Sequence, residues 1–126
     1  MMASILCVEN SETIRKVVKD SVLDLGFEFY DASNGEEMFE VIKGLDQLDL
    51  VIIDWNMPVM SGPESIKRLR AISKFKNTAI LVMIKVENKD QVMDAFDIGA
   101  NYYVLKPFRI NVFQEEIKEI IRKNAE

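Results

Sequence analysis

The chain has no histidine among its 126 residues. That absence removes imidazole general bases, histidine metal ligands and any phosphohistidine formed on the chain itself. There is one cysteine, so no internal disulfide can form. Cys7 lies in the apolar run Ile5-Leu6-Cys7-Val8, where a free thiol behaves as a small core residue. A single cysteine fits a reducing compartment. Positive charge is also short: 16 lysines and arginines face 21 acids, for a net charge of −5. Nucleic-acid binding would need a basic footprint, and none is visible. No apolar stretch approaches the length of a membrane helix. The start, Met1-Met2-Ala3-Ser4, lacks the basic residues and long apolar run of a secretory signal. The cytoplasm is therefore the expected location.

What is present is a regular alternation. Ser4–Val8 is a short run of strand formers. Ile14, Val17, Val18, Val22 and Leu25 then recur at helical spacing, with Asn10 or Ser11 as cap and Gly26 as stop. Phe27–Asp31 alternates like a half-exposed edge strand. Asn34, with Glu37 three residues on, opens a helix carrying Met38, Val41 and Ile42 that ends near Gly44. Leu50–Asp54 reads as a buried strand, apolar until its last residue. Pro63 suits the start of a third helix bearing Ile66, Leu69 and Ile72. Ala79–Ile84 is a fourth strand ended by Lys85, and Asn88 can cap a helix with Val92, Ala95 and Phe96 that closes at Gly99. Tyr102–Leu105 is the fifth strand. Phe113, Ile117, Ile120 and Ile121 stripe the last helix before the polar tail Arg122–Glu126.

Five strand–helix pairs predict an α/β fold: a parallel sheet covered on both faces, joined by right-handed crossovers. The whole chain, 1–126, reads as one domain with no output module attached. In such sheets ligands bind beyond the carboxyl ends of the strands. The residues there are Glu9-Asn10 after the first strand, Asp54 after the third and Lys106 after the fifth. Clustered oxygen donors suit a hard cation such as Mg²⁺, which is held by a few carboxylates together with phosphate oxygens and waters. A lysine supplies a point charge for a phosphoryl group. The set is suited to phosphoryl transfer onto an aspartate.

These residues carry a resemblance. Val8-Glu9-Asn10-Ser11 with Thr13–Lys16, Asp54-Trp55-Asn56-Met57-Pro58 with Ser61-Gly62, Gly99-Ala100 and Lys106-Pro107-Phe108 resemble the receiver domains of two-component response regulators. The likeness is to the single-domain, CheY-like kind and spans essentially the whole chain. It implies a flavodoxin-like (βα)5 three-layer sandwich with sheet order 2-1-3-4-5, an order for which CheY is a standard example. It implies that Asp54 accepts a phosphoryl group from a sensor histidine kinase or phosphotransfer protein. It further implies Mg²⁺ held by Glu9, Asn10, Asp54 and the backbone carbonyl of Asn56, and a phosphoryl contact from Lys106. The Lys106–Pro107 peptide is expected to be cis, with Tyr103 as the aromatic switch. A downstream protein would dock on the face of the fourth helix, fifth strand and fifth helix, including Tyr103, Lys89, Phe108 and Val112. Neither nucleic acid nor membrane is implied, and no metabolic reaction.

Two positions depart from the family pattern. Asn10 stands where the second of two acids is usual, which removes one negative charge and implies weaker Mg²⁺ binding. Ile84 stands where a Ser or Thr hydroxyl is usual, and no Ser or Thr follows Thr78. Isoleucine cannot donate a hydrogen bond. Lys85 reads as a solvated loop residue, and Val86 offers no group to orient a water. Trp55 and Met57 with Met60 read as a loop aromatic and exposed loop methionines. Two functions follow: a phosphorylation-controlled signalling receiver, or an atypical receiver that signals by constitutive binding.

Overall fold

A computed structural model describes residues 2–125. Met1 and Glu126, the ends of the expected domain and of its polar tail, lie outside the described residues. The elements are β1 (Ser4–Val8), α1 (Glu12–Asp24), β2 (Glu28–Ala32), α2 (Gly35–Ile42), β3 (Leu50–Asp54), α3 (Gly62–Arg70), β4 (Ala79–Lys85), α4 (Val92–Asp97), β5 (Tyr102–Lys106) and α5 (Ile110–Asn124). Short 3-10 segments at Ser73–Phe75 and Val86–Gln91 lead into β4 and α4. All strands pair in parallel in the order β2-β1-β3-β4-β5, the doubly wound topology expected.

Side chains alternate between the faces of a strand, and here the two faces feed two cores. Toward α1 and α5, Ile5, Cys7, Leu50, Ile52, Leu81 and Met83 pack on Val18, Val22, Phe113 and Ile117. Toward α2, α3 and α4, Leu6, Val8, Val51, Ile53, Val82 and Ile84 pack on Met38, Ile66, Leu69 and Ala95. All five residues of β3 are buried. Full burial of one aliphatic side chain is worth roughly 1.5–3 kcal/mol, so β3 is a firm base for the carboxylate at its end.

The caps sort several sequence alternatives. Ser11, not Asn10, caps α1 by accepting the Ile14 amide, and Asn34 and Ser61 cap α2 and α3 in the same way. Asn88 does not cap a helix. β4 runs on through Lys85, the chain then winds as 3-10 helix, and Asn88 sits inside that segment at φ −110°, ψ 23°. α4 starts only at Val92, with no side-chain cap. Met60 is buried rather than exposed, because Gly35 leaves room beside its sulfur: a Cβ on Gly35 would lie 2.9 Å from Met60 Sδ. Trp55 lies in the loop after β3 as expected, but it is buried as part of the core under α2–α4.

The loop after β3 is held shut by a glycine. The Gly62 amide donates to the Trp55 carbonyl at 3.1 Å. A Cβ on Gly62 would lie 2.5 Å from the Asp54 carbonyl oxygen, so no side chain fits. Within this loop Val59 holds φ 69°, a left-handed conformation costly for a β-branched residue.

Candidate functional site

Asp54 ends β3 and lies on the sheet face toward α1 and α5, next in alternation after Leu50 and Ile52. Glu9 follows β1 on the same face, after Ile5 and Cys7. Lys106 ends β5 on that face, after Tyr102 and Val104. The topology therefore brings together three groups that are far apart in sequence. The Lys106 ammonium lies 2.8 Å from Glu9 Oε1 and 2.9 Å from Asp54 Oδ1. Glu9 is 2% exposed and Asp54 7%.

Glu9 is anchored at every polar atom. Its amide donates to the Ala32 carbonyl, and its own carbonyl accepts from Arg15 Nη1 at 2.8 Å. Its second carboxylate oxygen accepts the Ser11 amide at 2.9 Å. Arg15 also pairs with Asp31 on β2 at 3.2 Å. The Arg15 link is a supporting contact that sequence spacing did not reveal.

The electrostatics follow from this burial. Desolvation raises the Asp54 pKa above the usual carboxylate value, and the Glu9 charge adds to it; the Lys106 hydrogen bond and the Trp55 amide pull it down without cancelling the rise. Burial lowers the Lys106 pKa, but hydrogen bonds to Glu9 and Asp54 outweigh it, so Lys106 is raised and held as a cation. Desolvation raises the Cys7 thiol well above its usual value, which fits the core role expected for it.

The remaining expected site residues divide. Asn10 and Asn56 are exposed at the same edge. Ile84 is fully buried on the opposite face, toward α2–α4, and no hydroxyl replaces it. Tyr102 turns to the α1–α5 core while Tyr103 is 41% exposed and meets Phe96 edge-on, ring centroids 6.0 Å apart. Phe108 does not share the Tyr103 face. It is half-buried against Phe113 in the α1–α5 core, centroids 4.4 Å apart. The Lys106–Pro107 peptide is cis.

Two carboxylates converging on one pocket fit a hard divalent cation in the kind of donor they offer. The number is thin. Both carboxylates already contact the Lys106 ammonium, and among the described residues no cluster of three acidic, cysteine or histidine ligands exists.

The profile of the response regulator receiver domain matches residues 5–118. The chain belongs to the response regulator receiver family. Among the relatives of this receiver is the chemotaxis protein CheY1 of Helicobacter pylori, 32% identical over 121 residues, covering 95% of this chain and 98% of that protein. The chemotaxis protein CheY of Pseudomonas aeruginosa is 32% identical over 120 residues, covering 94% and 96%. A high-resolution structure of the chemotaxis response regulator CheY4 of Vibrio cholerae superposes with a TM-score of 0.88 at 30% identity, covering 95% of this chain and 99% of that one. The receiver is thus a two-component signalling protein and not a metabolic enzyme. Among its described residues no helix is long and apolar enough to cross a membrane.

Proposed function

We propose that Asp54 is the phosphoacceptor of this receiver, taking a phosphoryl group from a phosphohistidine on a sensor kinase or phosphotransfer protein in the cytoplasm. The observation that supports this most is the Lys106 ammonium placed 2.9 Å from Asp54 Oδ1 and braced by Glu9. An Asp54 carboxylate oxygen attacks phosphorus, the phosphorus–nitrogen bond breaks, and the histidine nitrogen keeps the electron pair. The product is an acyl phosphate on Asp54. Charge in such transfers spreads over the equatorial phosphoryl oxygens, so positioning and electrostatics carry the catalysis. Lys106 offsets that charge, and Glu9 fixes where Lys106 sits. Asp54, Glu9, the Asn10 side chain and the Asn56 carbonyl would hold Mg²⁺. When bound, that ion supplies further charge neutralisation on the phosphoryl oxygens.

The signal would leave through the face built by α4, β5 and α5, where Tyr103 and Val112 are exposed, with Lys89 exposed in the 3-10 segment before α4 rather than on α4 itself, by docking a downstream protein. Incubation with Mg²⁺ and acetyl phosphate tests the acceptor. One phosphoryl mass is expected on the wild type and none on Asp54→Asn. A wild type that gains no mass, and shows no structural response to beryllium fluoride, would leave the chain as a receiver that signals by binding alone.

A further inference from the structure

The sheet register places a second lysine over the same pocket. Lys85 ends β4 and pairs directly with Lys106 at the end of β5. It follows Ala79, Leu81 and Met83 in alternation, so it lies on the α1–α5 face with Glu9, Asp54 and Lys106. Lys85 and Lys106 both line a groove of about 510 Å³ with Ile14, Val17, Glu87 and Phe108.

Distance favours Lys85. Met83 is level with Asp54, so Lys85 and Lys106 both start two residues beyond it. β4 adjoins β3, whereas β5 is one strand further away. With strands about 4.8 Å apart and about 3.3 Å per residue, the Lys85 Cα starts roughly 8 Å from that of Asp54 and the Lys106 Cα roughly 12 Å. Lys106 spans the longer path and bonds Asp54. Lys85, with the shorter path, is exposed and has no ion-pair or hydrogen-bond partner among the described residues. Glu87 lines the same groove without pairing to it.

Charge supplies the reason for an unpaired lysine there. Glu9, Asp54 and Lys106 together carry one net negative charge. A phosphoryl group on Asp54 replaces one carboxylate charge with about two. Among the protein groups alone that is one negative charge more than the resting site holds; Mg²⁺ when bound would offset charge but donate no hydrogen bond, and Ile84 on the opposite face offers no donor.

We propose that Lys85 is a second phosphoryl-binding lysine, turned out in the resting protein and folding onto the phosphoryl oxygens once Asp54 is modified. It places in the α1–α5 row the donor that the buried Ile84 position lacks. This inference rests on Asp54 being the acceptor.

The test measures beryllium fluoride affinity by calorimetry in the presence of Mg²⁺, and the rate of mass gain from acetyl phosphate. Lys85→Gln is expected to weaken the first and slow the second by roughly tenfold, the worth of one hydrogen bond to a charged group. Lys85→Arg keeps the charge and should retain most of both. Lys76→Gln removes the same charge before the start of β4 and should change neither. Lys85→Gln indistinguishable from wild type, or matched by Lys76→Gln, overturns the proposal while leaving Asp54 as acceptor. A wild type that takes neither probe overturns both readings.

Discussion

The two faces of one sheet end in opposite chemistry. Toward α1 and α5 the strand ends carry Glu9, Asp54, Lys85 and Lys106. Toward α2–α4 the same strands end in Trp55, Ile84 and Leu105, which pack into or against the core there. The charged face is the one on which the proposed phosphoryl group would arrive. The apolar face touches α4 and Tyr103, and Ile84 puts no hydroxyl there to feel that group arrive. The proposed chemistry and the Tyr103–Phe96 contact thus lie on opposite sides of the sheet, and Ile84 is buried on the side of that contact.

The largest way to break this contrast is to remove the ammonium that organises the charged face. Lys106→Met should slow phosphorylation of Asp54 by about 10²-fold, as loss of a preorganised charge-stabilising donor does; timed mass spectra with acetyl phosphate check it. The same site predicts a pH profile. Burial raises Asp54, so the reactive carboxylate should be lost on acidification at a higher pH than for an ordinary aspartate, read as the rate against pH. Lys106 is raised, so its share of stability is present below the usual lysine pKa and is lost as pH climbs through the raised one. An alkaline melting series should show a steeper loss for wild type than for Lys106→Met.

Next comes the apolar face. Ile84→Thr puts a hydroxyl into a fully buried site and should cost the resting protein about 1–3 kcal/mol by denaturant unfolding. It should also strengthen the shift in Tyr103 and α4 resonances on adding beryllium fluoride; an unchanged shift would show that the hydroxyl is not the missing link.

A smaller change sharpens the metal half of the charged face. Asn10 is exposed and uncharged next to Glu9 at the same sheet edge, so Asn10→Asp should tighten Mg²⁺ binding about tenfold by adding one carboxylate, measured by calorimetry. The least effect belongs to the aromatic contact behind the docking face. Phe96→Leu should cost about 0.5–1.5 kcal/mol, the usual worth of an edge-to-face pair, and leave the rate of Asp54 phosphorylation unchanged.

Much of this contrast was legible in the sequence. Strand and helix existence followed from apolar spacing, and the parallel order put Glu9, Asp54 and Lys106 at one edge. What resisted was anything set by continuation or by space. Asn88 looked like a cap because its side chain suits one, but β4 continued one residue further and the chain then wound too tightly. Met60 looked exposed because it follows a proline loop, yet Gly35 opens a slot for it across two helices. The resemblance implies Phe108 on the docking face, whereas packing on Phe113 turns it inward. Lys85 read as a loop residue, although the alternation Ala79, Leu81, Met83, Lys85 already placed it on the charged face once the strand was extended by one.

Gly62 has no functional group, yet the chain could change it less freely than most of its polar surface. Any side chain there would press on the backbone of Asp54 and Trp55, displacing the Asp54 carboxylate. A scan of tolerated substitutions would score Gly62 beside Asp54 and Lys106, and a map of intolerant positions read without coordinates would credit it with chemistry it does not perform.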